Sequence, residues 1–319
     1  MICITSRKRS WRLAVLTVGV PAVALMTACS SPGGGPAAQP SPVASSQPAP
    51  HPPTASGASG AALARASARP RPIPAPVRAT ASSSLAAGAR LVTFVNRMRQ
   101  TIWVAAAQNP AHPLAVTGWV LLPGHRVTIT VPNHWNGRFW GRTGCVFHRG
   151  LGHCQTGDCA GRFQCAGNGV IPATLAEYDM DAWDGLDFYD VSMVDGSNLP
   201  TYINVTRGQA AHQVSGNGCV AAGCTKPVQC PVPLRVRAGG VVVACESACA
   251  RFGTDQYCCR GAWAPRSQCN PAKWPVDYAA VFKRAEPYAY SYVDDDATSV
   301  FVCKGQCDYR ITFGLTPRR

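Results

Sequence analysis

The chain has 319 residues and a formal net charge of +14, yet all 16 of its Asp and Glu residues lie beyond residue 150. The first 89 residues hold 8 Lys and Arg and no acid, so the remainder is only mildly basic, with 22 cations against 16 anions. That balance is no nucleic-acid footprint. Residues 1–29 read as an export signal: Arg7, Lys8, Arg9 and Arg12 precede an apolar run from Leu13 to Met26 that is too short to span a bilayer comfortably. Leu25-Met26-Thr27-Ala28-Cys29 is similar to a bacterial lipobox, in which Cys29 is lipidated and becomes the mature N-terminus; ordinary signal cleavage or an uncleaved anchor are the alternatives. The chain is therefore expected at the outer face of the membrane as a lipoprotein, or secreted, and its membrane contact is expected through the lipid alone. Residues 30–89 are rich in Pro, Ala, Ser and Gly and hold too few large apolar side chains to offset the entropy of ordering, which makes them a disordered, extended linker.

From residue 91 onward the pattern is that of a sheet. Leu91–Asn96, Thr101–Ala107 and Arg126–Val131 are β-rich runs between turn residues, and Val127, Ile129 and Val131 share one face. Further strands are predicted at Asp187–Val194, Thr201–Val205, Val300–Val302 and Arg310–Phe313, enough for a sandwich of two sheets. One helix is predicted over Asp277–Arg284: Asp277 can cap it, Tyr278, Val281 and Phe282 share a face, and Lys283 and Arg284 suit its C-terminal dipole. The Cys-, Gly- and Pro-rich stretches 145–165 and 224–269 read as stapled loops.

Of 16 cysteines, 14 fall within residues 145–307. An even number at this density in an exported chain points to a disulfide framework formed in an oxidising compartment. No Cys-x-x-Cys pair is present, and adjacent Cys258 and Cys259 suit one tetrahedral site poorly, so no metal is predicted. No cofactor is predicted either: no Gly-rich phosphate loop opens a helix, and there is no Gly-x-Ser-x-Gly elbow.

Residues 91–315 resemble the thaumatin-like proteins from end to end. The resemblance rests on Phe94-Val95-Asn96, Trp140-Gly141-Arg142-Thr143-Gly144-Cys145, Cys154-Gln155-Thr156-Gly157-Asp158-Cys159 and Pro172-Ala173-Thr174-Leu175-Ala176-Glu177-Tyr178. It continues through Asp187-Phe188-Tyr189-Asp190-Val191-Ser192, Val194-Asp195-Gly196-Ser197-Asn198-Leu199-Pro200, Tyr257-Cys258-Cys259, Ala289-Tyr290-Ser291-Tyr292 and Tyr309-Arg310-Ile311-Thr312-Phe313. It implies a mainly β fold, a flattened β-sandwich with two small disulfide-rich lobes, spanning residues 90–317. Its core would comprise 90–142, 173–225 and 286–317, its small lobe 143–172 and its larger lobe 226–285. The implied disulfides are Cys145–Cys154, Cys159–Cys165, Cys230–Cys245, Cys249–Cys258, Cys259–Cys269 and Cys219–Cys303. Met98 and Gly314 stand where the family joins its first and last strands. Ala285 replaces the usual partner of Cys224 and Cys307 is additional, which leaves Cys224 with Cys307.

The resemblance also implies an acidic cleft lined by Arg142, Glu177, Asp190, Asp195 and Asp295, with the last open to a slip among Asp294, Asp295 and Asp296. Carboxylates accept hydrogen bonds from sugar hydroxyls, and a pair at about 5 Å or 6.5–9.5 Å can act as acid with nucleophile or base. Glu177 is expected as the acid and Asp195 as the base or nucleophile, with Arg142, Asp190 and Asp295 shaping the field. Tyr178, Trp183, Phe188 and Tyr189 are interleaved with these acids and offer ring faces to sugars, although strand alternation must send one of Phe188 and Tyr189 into the core. Singly, each of these acids reads as an ordinary turn or surface residue, and Trp140 as core. Three functions follow: an antifungal, pathogenesis-related module binding β-1,3-glucan or a related polysaccharide; a weak endo-β-1,3-glucanase; or a protein-partner or enzyme-inhibitor role. The chain is expected to be a monomer.

Overall fold

The computed structural model describes residues 88–316, apart from 108, 211–222, 224 and 225. The export signal, Cys29, the linker up to residue 87, Cys219 and Cys224 all lie outside the described residues. Among the described residues thirteen strands are formed. The first five are β1 (Ala89–Asn96), β2 (Ile102–Ala106), β3 (Gly118–Leu121), β4 (Arg126–Pro132) and β5 (Asn136–Arg142). Next come β6 (Val146–His148), β7 (Leu151–His153), β8 (Leu175–Trp183), β9 (Leu186–Ser192) and β10 (Thr201–Ala210). The last three are β11 (Arg235–Ala238), β12 (Val241–Cys245) and β13 (Phe301–Phe313). Helices α1 (Ala248–Phe252), α2 (Asp255–Cys258), α3 (Ala279–Ala285) and α4 (Asp296–Ser299) are short. The predicted helix is α3; its N-cap position falls on Tyr278 and not on the expected Asp277, which lies one residue earlier and accepts from the Ala280 N–H at 3.0 Å.

The sandwich is made from one sheet, not from two separate ones. Its order is β3-β2-β5-β8-β9-β13-β1-β4, with β10 also paired to β13, and it curls until nearly closed. The connection between layers is β13: Phe301–Lys304 pair antiparallel with β9, whereas Tyr309–Phe313 pair parallel with β1. Between them the chain bulges at Gly305, whose φ of 82° favours glycine, and the β10 pairing shifts register there. Period-two burial is clear along β1, where Val92 and Phe94 are wholly buried while Leu91, Thr93 and Val95 are half-buried. The core contains Phe94, Trp135, Phe139, Tyr178, Tyr189, Tyr309 and Phe313. Each such side chain contributes about 1.5–3 kcal/mol by leaving water. A second, smaller core packs Trp140 with Ala105, Cys159, Cys165 and Leu175, which settles Trp140 as a packing residue.

Five bridges form in the pairs that the resemblance implies: Cys145–Cys154, Cys159–Cys165, Cys230–Cys245, Cys249–Cys258 and Cys259–Cys269. The expected Cys219–Cys303 and Cys224–Cys307 pairs are corrected, because Cys303 is bonded to Cys307. Four residues of straight strand would span about 13 Å, but the bulge at Gly305 brings the two Cα atoms to 6.4 Å. Without the family's terminal staple, the ends of β1 and β13 are joined by a backbone hydrogen bond from Arg97 to Phe313 at 2.8 Å.

Candidate functional site

The pairing of β5, β8 and β9 lines up three charges on one outward face. Arg138 is opposite Glu177, and Glu177 is opposite Asp190. Residues directly opposed on neighbouring strands have Cβ atoms about 4.5–5.5 Å apart and point the same way, so the row follows from register alone. Asp195 joins it from the turn after β9. That turn is closed by the Gly196 N–H donating to the Met193 carbonyl at 2.9 Å, and Ser197 is clamped to Cys245 by reciprocal backbone bonds of 2.8 and 2.7 Å. Gly196 is required: its φ is 92°, and a Cβ there would lie 2.5 Å from the Cys245 carbonyl oxygen.

Arg138 is the cation of this site. Its Nη1 lies 3.8 Å from Glu177 Oε1 and 3.6 Å from Asp195 Oδ2, and its Nε donates to Asn168 Oδ1 at 3.1 Å. The two carboxylate oxygens are therefore no further apart than those two ion-pair distances combined, about 7.4 Å. Burial pushes the Asp195 carboxyl above its usual range, and Arg138 opposes that push. Beyond Asp190, the segment at Tyr290 pairs with the end of β9: its N–H donates to the Val191 carbonyl and its carbonyl accepts from Met193, both at 2.8 Å. The Tyr290 hydroxyl donates to Asp296 Oδ1 at 2.6 Å, and burial, Asp296 and Asp190 hold it protonated. The outward side chain of Phe188 stacks at a tilt on exposed Trp183, with centroids 5.4 Å apart, which adds an aromatic edge to the same face.

Several expected site residues lie elsewhere. Arg142 is on the same side of β5 as Arg138 but wholly buried under the loop that carries β6 and β7. Its guanidinium donates to the Trp103, Val104, Arg162 and Phe163 carbonyls at 2.8–3.4 Å and lies 5.3 and 5.6 Å from the Phe147 and Phe163 rings. Burial pushes its pKa down to about 10, against the attraction of Asp158. It staples a lobe and is sealed from solvent. Tyr178 and Tyr189 are corrected as well: they alternate with Glu177 and Phe188, face inward, and pack around Tyr309 at 5.0 and 5.2 Å. Asp295 is 8% exposed and accepts from Lys283 Nζ at 2.8 Å and from both the N–H and hydroxyl of Ser291. It locks the segment beneath α3, and Asp296 is the member of the triple that reaches the site through Tyr290. Arg138 was missed because no motif singled it out, although Asn136-Gly137-Arg138-Phe139 shows it alternating with a core aromatic.

Fold and site thus define a mainly β, disulfide-stapled protein with a carboxylate row around one arginine. The model of the thaumatin family matches residues 96–315, and the chain belongs to that family. It is 45% identical over 234 residues to "Pathogenesis-related protein 5" of Arabidopsis thaliana, covering 72% of this chain and 92% of that one. It is 41% identical over 234 residues to "Glucan endo-1,3-beta-glucosidase" of Prunus avium, covering 71% and 91%. Among solved structures, a laminaripentaose-producing β-1,3-glucanase in complex with laminaritetraose aligns over 72% of this chain and 99% of its own, at 12% identity and a TM-score of 0.48.

Proposed function

We propose that the face of β5, β8 and β9 binds a neutral polysaccharide, β-1,3-glucan or a close relative, and that the protein does so outside the cell as an antifungal, pathogenesis-related module. The observation that carries this reading is Arg138 held between Glu177 and Asp195, with Asp190 in register beside them. Three carboxyl groups face sugar hydroxyls, one guanidinium adds donors between them, and the Trp183–Phe188 edge offers apolar rings to pyranose faces. Export fits the disulfides, which persist in oxidising compartments. Residues 1–29 serve as the signal, Cys29 as the lipid attachment point, and residues 30–89 as the tether. Co-sedimentation of the full chain with insoluble β-1,3-glucan tests binding: retention of the wild type and loss with Glu177→Gln is expected, and equal retention of both refutes the assignment.

A second reading, hydrolysis, is favoured by the upper limit of about 7.4 Å on the Glu177–Asp195 oxygen separation, which admits both the retaining spacing and the lower end of the inverting one. In it the roles expected from the sequence are exchanged. The half-buried Asp195, whose carboxyl burial pushes up, holds the proton for the leaving oxygen, and Glu177 acts as nucleophile or base. Reducing-sugar release by wild type, absent in Asp195→Asn, supports it; release that persists in the variant removes Asp195 from the chemistry.

A further inference from the structure

No Asp or Glu precedes Asp158 in the sequence, so β1 and β4 bring no carboxylate to the outer face that they share with β13. On that face Thr93 stands opposite Thr128 and Arg310, while Val95 stands opposite Arg126 and Thr312. Directly opposed residues share a side, so Arg126 and Arg310 flank β1 from its two neighbours, two strand spacings across and two residues along, about 12 Å apart at the backbone. Together with Arg97, Thr206 and the threonines they line a groove of about 410 Å³.

The cations here are not used up by the fold. The nearby carboxylate, Asp308, is consumed by Arg207 in two bonds of 2.6 and 3.0 Å and by the Leu91 N–H. Arg310 spends one donor on Asn204 Oδ1 at 2.8 Å, and among the described residues neither Arg97 nor Arg126 forms an ion pair. All three arginines are exposed. Like charges gathered in one groove repel each other unless an anion enters, and guanidinium forks match phosphate oxygens while threonine hydroxyls donate to them.

We propose that this groove is a second binding site, on different strands from the carboxylate row, for a linear phosphate-bearing polymer. Arg97, Arg126 and Arg310 enter the groove at separate points along it, which suits several phosphates on one chain better than one small oxyanion.

The test uses the ¹⁵N-labelled full chain titrated with sodium tripolyphosphate. Arg126→Gln/Arg310→Gln is compared with Arg149→Gln/Lys226→Gln, which lowers the net charge equally at exposed positions elsewhere. Lys and Arg before residue 90 contribute the same to every variant, so the difference reports the groove. Expected are shifts of the Thr93, Val95 and Thr312 amides and an affinity loss of about tenfold or more in the first variant alone. Equal weakening in both variants, shifts confined to other residues, or no binding at low salt would overturn the proposal. Matching melting curves for the variants establish that each is folded.

Discussion

Arg138 and Glu177 face each other across the β5–β8 pairing, and the same guanidinium nitrogen that lies 3.8 Å from Glu177 lies 3.6 Å from Asp195. One cation thus stands between two candidate acids. Replacing it with a neutral side chain removes the attraction that offsets the burial of Asp195. Arg138→Met should therefore raise the Asp195 titration midpoint further, as followed by carboxyl-carbon NMR; an unchanged or lowered midpoint would show that the two groups are not coupled.

Arg142 acts on stability and not on ligand. Lysine keeps the charge but cannot fork toward four carbonyls, so Arg142→Lys should lower stability by about 2–4 kcal/mol. Denaturant unfolding measures the loss. Glucan affinity of the folded protein should stay at the wild-type value, and a fall in it would return Arg142 to the binding face.

The buried pair Arg90–Asp187 joins β1 to β9, with bonds of 3.0 and 2.7 Å and a further 2.7 Å bond from the Tyr309 hydroxyl. Both side chains are sealed from water. Asp187→Ala should cost about 3–5 kcal/mol, because it leaves an uncompensated buried guanidinium. Arg90→Met/Asp187→Leu should recover much of that in the same unfolding measurement.

Glu286 is wholly buried, and burial holds its carboxyl well above the usual range despite the Thr201 N–H at 3.4 Å. Its folded-state pKa exceeds the unfolded value of about 4.3. The native state therefore binds more protons than the unfolded state above that pH, and stability falls as pH rises toward the folded pKa. The wild-type melting temperature should decline over that range, and Glu286→Gln should flatten the decline; an equal slope in both proteins would assign it to other groups.

The sheet was legible where alternation was strong: β1, β4 and α3 are close to their predicted bounds because their buried faces follow the expected periods. That the layers are one curled sheet was not legible, since the partners on either side of the bulge at Gly305 in β13 are distant in sequence and no local pattern names them. The same bulge redirected Cys303 to Cys307. In the candidate site, the motifs that contain Glu177, Asp190 and Asp195 single them out, and strand register brings them together. Arg138 was passed over for Arg142 because both occupy one side of β5, and only the loop packed over Arg142 separates their roles. Tyr178 and Tyr189 adjoin the acids in sequence, but alternation turns them to the opposite face.

The proposed glucan binding depends most on Arg138, Glu177, Asp190 and Asp195 forming one sugar-binding face. Calorimetric titration of the full chain with a linear β-1,3-gluco-oligosaccharide, compared across wild type, Glu177→Gln and Asp195→Asn, tests it directly. Measurable wild-type binding that weakens about tenfold or more in each variant, at unchanged melting temperature, is predicted. Wild-type affinity retained by both folded variants would contradict it.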